Sequence, residues 1–508
     1  MISVAQLVAG LESRSIILSL ADGQLRYRSP RDALTAADRA AIGERRDALI
    51  DFLAAREAGR ALRMVEPQDG PLSTAVGQDM YYRFGSGPLQ GKPISLNIGM
   101  AGSFRNARAA DIADAIRAAV ARHDSLRTRI VRHGEVPELA LNPVEELQIG
   151  FEDLSGAADG TAAGQAVVAQ MFGDHIPVES PWLFRAKVVA LPGGDAAAVM
   201  AANHFISDAG TRNILLQEIQ DALDRKAGRE VKPHPPAIPY YAFSRGERRF
   251  LEGAQGARLI DYWRRWYGRQ PVMHAPSGAV MEWGAGTRIV NNFTIPRRML
   301  EKAGILAAAH GATPFLVFLG IFCLAMARWS KMERFPVRIL GDKRSRLDLA
   351  GTGGLMFCAD PVEIPVPPGQ DFAQLMRAIL VEYEASLALR LPTLHYFAPH
   401  VVRPDIEPAA YPNRIPAVFN YYSGGTSRER AEREGAPDGT AGLAWPPEVT
   451  RLSQQSWTRR SAPLFLHLMD LGNEMTASLH FLADVVNETD EKAFIATLFQ
   501  VFDEVLPV

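Results

Sequence analysis

Apolar and polar residues recur along this chain with two different periods, and these periods predict its helices and strands. Residues 4–11 carry apolar side chains every three or four positions, which is typical of a helix with one buried face. Residues 16–20 and 24–28 are strand-like runs on either side of Asp22-Gly23, a pair that favours a tight hairpin turn. Residues 32–56 return to helical spacing, so the chain is predicted to open with a small βα module.

From residue 71 onward the two periods alternate. Strands are predicted at residues 94–100, 185–191, 196–202, 288–295, 337–340, 355–364, 417–422, 464–471 and 475–481. Helices are predicted at residues 73–84, 111–122, 211–223, 313–332 and 488–506. This alternation predicts an α/β fold of two-layer α+β type, in two lobes of similar size. A cleft between two such lobes is a common site for ligands.

Turn-rich and proline-rich stretches divide the chain into four predicted segments. They are the small module at residues 1–57, a linker at 58–70, a first lobe at 71–240 and a second lobe at 241–508. The proline-rich residues 229–242 mark the crossover between the lobes. Residues 423–448 are rich in glycine and arginine and poor in apolar residues, so we predict a loop there.

Composition narrows the class of protein. The chain has 508 residues, 47% of them hydrophobic, and a formal net charge of −2, which argues against a nucleic-acid or acidic-lipid partner. Cys323 and Cys358 lie in apolar stretches, which indicates a reducing compartment rather than a disulfide framework or a zinc site. The first residues lack a signal-peptide pattern, and the apolar stretch 314–327 is shorter than the roughly 20 residues that span a bilayer. We therefore expect a cytoplasmic monomer without metal or membrane partners.

The stretch VMAANHFISDAG, residues 199–210, carries the main chemical candidate. A run of small apolar residues leads into His204, and Asp208 follows four residues later, directly before a predicted helix. An imidazole titrates near pH ~6.5 and can exchange a proton at neutral pH. The free N–H groups at the helix start, including that of Gly210, can stabilise an oxyanion. The alternative is a buried histidine with a structural role only.

Asp208 has more than one interpretation. It can orient His204, as the aspartate of a catalytic triad does, or it can pair with an arginine and hold the loop. We favour the arginine, with Arg127 and Arg344 as candidate partners, because both lie at strand boundaries in apolar surroundings. A solvated surface aspartate is the third possibility. The sequence shows no serine elbow, P-loop or dinucleotide-binding motif, so we expect no covalent intermediate on the protein.

Two arginines mark a second candidate site, in the small module. Arg26 and Arg28 lie on the predicted strand 24–28, on the face opposite Leu25 and Tyr27. An exposed strand edge with two arginines can accept an extended acidic peptide by strand addition. The alternative is a solvated edge that its charge protects from aggregation.

Several of these segments, in this order, resemble the condensation domains of nonribosomal peptide synthetases, which share the architecture of chloramphenicol acetyltransferase. The family signature H-H-x-x-x-D-G stands here as NHFISDA, residues 203–209. RHDSLRTRI at residues 122–130 is close to R-H-E-x-L-R-T-x-F, and PLSTAVGQDMYY at 71–82 resembles the opening family motif. Weaker matches follow at residues 239–247, 341–358 and 413–422. Residues 1–57 resemble the N-terminal β-hairpin docking domains of the TubC type.

The resemblance implies two lobes that form a V-shaped pseudo-dimer around a tunnel. An acyl group would arrive on the phosphopantetheine arm of a carrier protein, so no permanently bound cofactor is expected. His204 would act as the general base for an amine or hydroxyl acceptor, with Asp208 held by an arginine. The product would be an amide or an ester, and chain release is among the reactions expected. Arg26 and Arg28 would bind an acidic tail of the upstream carrier protein.

Two departures from the family signature affect this prediction. Asn203 replaces the first histidine, and Ala209 replaces the glycine of the D-G pair. In the family the first histidine is less critical than the second. We therefore expect the chain to remain active, with altered support for the loop that carries His204. Alternatives are an acyltransferase that uses acyl-coenzyme A, a domain that epimerises a carrier-bound residue, and an inactive module that recruits carrier proteins.

Overall fold

The computed structural model describes residues 3–31, 33–63, 69–85, 97–134, 136–345, 349–389, 415–423, 449–453, 457–470 and 474–507. Within these ranges the chain has the predicted mixture of helices and sheets, which confirms the α/β class. The predicted loop at 423–448 lies outside the described residues, except that residue 423 ends a strand.

The small N-terminal module consists of a hairpin and three helices. Its elements are α1 (Val4–Glu12), β1 (Ile17–Ala21), β2 (Gln24–Arg28), α2 (Ala36–Glu44) and α3 (Arg46–Arg63). The hairpin turn is the predicted one, since Asp22 and Gly23 both have positive φ, 52° and 71°. This left-handed pair matches the twist of the flanking strands. The predicted helix at residues 32–56 is two helices.

The next part of the chain forms a four-stranded sheet with helices around it. Its elements are α4 (Val76–Gly85), β3 (Asn97–Phe104), α5 (Ala109–Arg122), β4 (Thr128–Arg132), β5 (Glu138–Leu141), β6 (Ile149–Asp153), α6 (Gly160–Gly173), β7 (Phe184–Ala190), β8 (Ala196–Asn203), α7 (Ala209–Lys226), α8 (Tyr240–Glu252) and α9 (Ala254–Arg269). The strand order is β3-β8-β7-β6, and β4 pairs with β5 in a separate hairpin. Strand β8 is central and almost wholly buried, because its small apolar residues pack on both faces.

The second half forms a larger sheet. Its elements are β9 (Gly284–Gly286), β10 (Arg288–Pro296), α10 (Arg297–Ala309), α11 (Pro314–Ser330), β11 (Arg334–Asp342), β12 (Phe357–Pro365), α12 (Phe372–Ala388), β13 (Ala417–Ser423), β14 (Thr450–Ser453), β15 (Trp457–Ser461), β16 (Leu464–Asp470), β17 (Glu474–Leu482) and α13 (Glu488–Val505). Seven strands run in the order β12-β11-β13-β16-β17-β10-β14. Helix α11 lies in the core of this half, as its nearly unbroken apolar sequence predicts.

Helix α3 runs past the end of the predicted N-terminal segment. The boundary drawn after residue 57 falls inside α3, which continues to Arg63, so residues 58–63 are helix and not linker. Ala58, inside this extension, is fully buried, and it belongs to the same hydrophobic core as Leu49 and Leu53. At Gly59 the helix touches α12 so closely that a Cβ atom would lie 1.9 Å from the carbonyl oxygen of Ala388.

The hydrophobic cores also cross the boundary that was predicted at residue 240. Tyr240 and Tyr241, at the start of α8, pack in the core of the first sheet. Leu349, Leu355 and Met356, which lie far along the second half, are buried in that same core. The two halves are therefore joined by a segment of the second that inserts into the first, directly beside the NHFISDAG stretch.

None of the described helices is by itself long and apolar enough to cross a bilayer. Helices α10 and α11 meet that test only when taken together, and they are bent by 101° at the break between them.

Candidate active site

His204 lies in the tight turn between β8 and α7, and Asn203 holds that turn. The Asn203 Oδ1 atom accepts a hydrogen bond from the backbone N–H of Phe205 at 2.8 Å, and its Nδ2 atom donates to the carbonyl of Ile176 at 2.8 Å. The Asn203 carbonyl accepts from the N–H of Ile206 at 3.0 Å. Asn203 is only 2% exposed, so its side chain replaces lost water contacts with two protein partners.

The hydrogen bond of the imidazole defines its tautomer. His204 Nδ1 lies 2.7 Å from the carbonyl oxygen of Ser207. A carbonyl oxygen only accepts, so Nδ1 carries the proton and Nε2 keeps a free lone pair. Burial lowers the pKa of His204, although the charge of Asp208 and the Ser207 carbonyl act in the opposite direction. The ring is therefore neutral at neutral pH and can accept a proton at Nε2.

Aromatic side chains from both halves fix the plane of the imidazole. Tyr81 of α4 stacks on His204 with a centroid distance of 4.2 Å and an interplanar angle of 29°. Phe357, the first residue of β12, lies 6.3 Å away at 60°. Gln78, one turn before Tyr81, donates from Nε2 to the carbonyl of Phe205 at 3.0 Å. Helix α4 thus supports both the ring and the turn that carries it.

Sequence reasoning did not single out Gln78, Tyr81 or Phe357. The first two lie within the segment 71–82 that resembles the opening family motif, and their spacing of three places them on one face of a helix. That spacing is a signal that was present in the sequence. Phe357 carries no such signal, because only the tertiary fold brings β12 to the turn.

Asp208 is an N-cap and an ion-pair partner at the same time. Its Oδ1 atom accepts from the N–H and the hydroxyl of Thr211, at 2.8 and 2.9 Å. Its Oδ2 atom accepts from Arg344 Nη1 at 2.9 Å and from the N–H of Met356 at 2.7 Å. Burial acts to raise the pKa of Asp208, but Arg344 and the other donors outweigh it and hold the pKa below its ordinary value.

The guanidinium of Arg344 has an acceptor for each of its five N–H groups. Besides Asp208, the acceptors are the carboxylate of Asp342 at 2.9 Å, the carbonyls of Thr352 at 2.7 Å and Gly354 at 2.8 Å, and the Thr211 hydroxyl at 3.0 Å. The Arg344 side chain is 7% exposed. Removing one partner from such a network is costly, because it leaves desolvated charged groups unmatched.

These contacts favour one of the interpretations of Asp208. Both carboxylate oxygens are occupied by Thr211, Arg344 and Met356, while the N–H of His204 points to the Ser207 carbonyl. The geometry is that of a loop anchor and not of a triad. Arg127, the other candidate partner, donates instead to the carbonyl of Asn142 at 3.2 Å.

Gly210, in the first turn of α7, lies against the ion pair. A Cβ atom at Gly210 would be 2.4 Å from Arg344 Nη1 and 2.6 Å from Asp342 Oδ2. A glycine is required here by close approach, whereas Ala209 beside it already carries a methyl group. The N–H of Gly210 is one of the first-turn donors that have no partner within the helix.

We expect Gly210→Ala to lower the free energy of unfolding by roughly 1–3 kcal/mol, because the added methyl group displaces the guanidinium. Chemical denaturation measures this change. Gly304→Ala in α10 is the matched control, since a Cβ atom there meets nothing within 4 Å and alanine is the better helix former. Equal stability of Gly210→Ala and the parent would contradict the close packing.

The segment RHDSLRTRI joins the two halves. His123 Nδ1 accepts from the N–H of Gly353 at 3.2 Å, and the Ser125 hydroxyl donates to the Gly353 carbonyl at 3.1 Å. Asp124 Oδ1 accepts from the N–H of Tyr240, the first residue of α8, at 2.9 Å. The segment therefore positions the inserted loop that supplies the partners of Asp208.

In the small module, β2 carries the two predicted docking arginines. Arg26 pairs with Ser19 and Arg28 with Ile17 in the antiparallel register of the hairpin, so both arginines lie on one face. Both are exposed, as is Tyr27 on the other face at 59%. Within the described residues β2 pairs only with β1, which leaves its second edge without a strand partner.

In the described ranges, no group of three or more His, Cys, Asp or Glu side chains is arranged so that it could hold a metal ion.

The site combines a half-buried, neutral histidine, a turn anchored by an arginine, and a loop of the second lobe that reaches into the first. Residues 100–385 match the family model of the condensation domain, more than half of the chain, and residues 4–54 match the TubC N-terminal docking domain. The chain belongs to the condensation-domain family and carries a TubC-type docking domain, as the sequence motifs predict.

Two proteins that this chain resembles are named as a tripeptide synthetase and a bacitracin synthase. Phosphinothricin tripeptide synthetase PhsC of Streptomyces viridochromogenes is 25% identical over 321 residues, 61% of this chain and 29% of that protein. Bacitracin synthase 2 of Bacillus licheniformis is 22% identical over 363 residues, 70% of this chain and 13% of that protein. The chain thus spans less than a third of the length of these two relatives.

Two solved structures resemble this chain over nearly its whole length. A structure described as the molecular basis for condensation domain-mediated chain release from the enacyloxin polyketide synthase is 28% identical, with a TM-score of 0.87 and coverage of 100% of this chain and 97% of that one. The cyclization-docking bidomain of EpoB from Sorangium cellulosum has a TM-score of 0.59 at 17% identity, covering 99% and 98%. The second likeness concerns the fold alone.

Proposed function

We propose that this chain joins an acyl group from a carrier-protein phosphopantetheine thioester to an amine or hydroxyl acceptor, and that His204 is the general base. The observation that carries the proposal is the hydrogen bond from His204 Nδ1 to the Ser207 carbonyl. It leaves Nε2 free to take the acceptor proton as the nucleophile attacks the thioester carbonyl. The carbonyl oxygen becomes negative in that step, and the first-turn N–H groups of α7, including that of Gly210, are suitable donors to it.

Chain release is the form of this reaction that the comparisons favour. One solved structure that matches both the docking module and the body, at 28% identity, is described as the molecular basis for condensation domain-mediated chain release. In that reaction the acyl–sulfur bond breaks, an amide or ester bond forms, and the carrier leaves as the free thiol. The phosphopantetheine arm belongs to the carrier, so the chain itself needs no resident cofactor.

The direct test mixes the protein with an acylated carrier protein and a panel of amines and alcohols, with product detected by mass spectrometry. We expect a product that contains both acyl group and acceptor, and release of the carrier thiol. Equal turnover with an acyl-coenzyme A thioester and no carrier would point to the coenzyme-dependent acyltransferase instead. Carrier binding without product from any acceptor would point to an inactive recruiting module.

The acid limb of the pH profile should lie below the range of an ordinary histidine. Burial lowers the pKa of His204, and a general base acts in its deprotonated form. The kcat/KM should therefore stay level as the pH falls through about 6.5, the ordinary histidine value, and decline only below it. An inflection at or above that value would contradict a buried, neutral base.

Charge reversal on the exposed strand should weaken docking. We expect Arg26→Glu with Arg28→Glu to raise the KM for a carrier that ends in an acidic tail, because like charges then face each other on β2. Arg39→Glu, an exposed arginine on α2, is the matched control. Turnover with a small soluble thioester should be unchanged in both variants. An equal loss with carrier and soluble donor would argue against β2 as the docking edge.

A further inference from the structure

Arg212 is a half-buried cation without a carboxylate partner, one helical turn beyond Asp208. Its backbone N–H donates to the Asp208 carbonyl at 3.2 Å, the bond that closes the first turn of α7. In the parts of the chain that the structure describes, no carboxylate lies within ion-pair distance of its guanidinium. Arg344, which contacts the start of the same helix through Asp208 and Thr211, differs in having an acceptor for all five of its N–H groups.

Among the described residues, the side-chain contacts of the Arg212 guanidinium come from one tyrosine of the second half. Its Nη2 atom donates to the hydroxyl of Tyr422 in β13, and its Cζ atom lies 4.6 Å from the centroid of that ring. The Tyr422 hydroxyl in turn donates to Asn213 Oδ1 at 2.6 Å. The tyrosine therefore orients the guanidinium without neutralising it.

One donor of this guanidinium is buried and unused. Within the parts of the chain that the structure describes, the Arg212 Nε atom has no hydrogen-bond partner, and it is shielded from solvent. Buried polar groups in native proteins are almost always paired, so an orphaned N–H of a charged group calls for an explanation. An oxyanion that approaches Nε and a terminal nitrogen side by side would satisfy both, which is the usual way that arginine binds carboxylates and phosphates.

We propose that Arg212 is the anion-binding residue of the substrate site, and that it receives an acidic group carried by one of the two reactants. The position supports this because Arg212 is one turn, about 5.4 Å along a helix axis, from the residue that caps the helix beside His204. It lies where a strand of the second half meets a helix of the first. Two sources fit the shared chemistry: a carboxylate on the acceptor, or the phosphate of the pantetheine arm.

The inference rests on the proposed function for its substrates, so its first test measures binding and not turnover. Pairs of probes differ only in the anionic group: 3-hydroxybutyrate against 3-hydroxybutyramide, β-alanine against β-alaninamide, and phosphopantetheine against pantetheine. Affinities for the full chain are measured by saturation-transfer NMR and titration. We expect one charged probe to bind roughly 10- to 100-fold more tightly than its neutral partner.

Arg212→Gln should remove that preference, and Arg212→Lys should retain part of it, because lysine keeps the charge but not the planar pair of donors. Arg225→Gln, at the exposed far end of α7, is the matched control and should behave as the parent. If Arg212→Gln loses the preference for a carboxylate probe, the bound anion belongs to the acceptor. If it loses the preference for phosphopantetheine, the bound anion is the phosphate of the donor arm.

Two results would overturn the proposal. One is a parent protein that binds no charged probe better than its neutral partner. The other is a preference that survives unchanged in Arg212→Gln, which would leave Arg212 as a contact between the two halves only. In the assay with acylated carrier, the same variant should change the ratio of kcat/KM for an acidic acceptor to that for its amide. Failure of all turnover in the parent would count against the proposed function but leaves the binding result to decide the role of Arg212.

Discussion

Substitution of His204 by alanine should reduce kcat by roughly 10²- to 10⁴-fold, the usual contribution of a positioned general base. The loss is expected in kcat and not in binding, because the proposed docking strand lies in the N-terminal module and the proposed role of the imidazole is to accept a proton during the reaction. Product formation from an acylated carrier and an excess of acceptor measures it. The unfolding midpoint of the variant should remain close to that of the parent, since the turn is held by Asn203 and Gln78.

An exposed histidine provides the matched control. His274 lies on the surface of the second half, so His274→Ala should condense at the parental rate. If His204→Ala also condenses at that rate, the base assignment is wrong, and the reaction depends on positioning alone. Tyr81→Leu is informative as an intermediate case: it removes the stacked ring but leaves the proton on Nδ1, so we expect a smaller loss than for His204→Ala.

Arg344→Ala should have the largest effect on stability, a loss of about 3–5 kcal/mol in the free energy of unfolding, as when one partner of a buried ion pair is removed. The substitution leaves the Asp208 carboxylate buried, and the carbonyls of Thr352 and Gly354 in the inserted loop each lose a donor. Denaturant titration followed by fluorescence measures the change. We also expect activity to fall, because Asp208 caps the helix that begins beside His204.

Arg108→Ala is the control for this second prediction. Arg108 also forms an ion pair with an aspartate, Asp111, but the arginine side chain is 75% exposed. Solvent screens such a pair, so its unfolding midpoint should coincide with that of the parent. An Arg344→Ala protein that unfolds at the same denaturant concentration as Arg108→Ala would show that the buried network does not stabilise the fold.

Local signals in the sequence were sufficient for most of the secondary structure. The Asp22-Gly23 pair predicted the hairpin because the turn itself demands positive φ at both residues. Small residues before His204 predicted the buried strand β8. The extent of α3 was underestimated, since the alanine and glycine at residues 58 and 59 look like a linker until their packing against α12 is known.

The candidate site was only partly predictable, because its parts come from distant segments. Gln78 and the Phe205 carbonyl are 127 residues apart, and Asp208 and Arg344 are 136 residues apart. A single sequence indicates that an aspartate needs a partner, but it does not say which arginine the fold delivers. The resemblance to a family supplied the order of the segments, and the structure supplied the contacts between them.

The packing of α3 also determines how the N-terminal module can be exchanged in an engineered protein. Helix α3 shares a core with Trp263 and Trp266 of α9, and the Trp263 indole donates to the carbonyl of Leu389 at 2.8 Å. Cutting the chain before residue 64 would strip the cover from these aromatic side chains. Exchanging the N-terminal module for a docking domain of another specificity therefore requires the matching surface of α9 and α12 to be transferred with it. The unit to transfer is the N-terminal module together with α9 and α12. The smallest change that alters docking is substitution of exposed residues on β2.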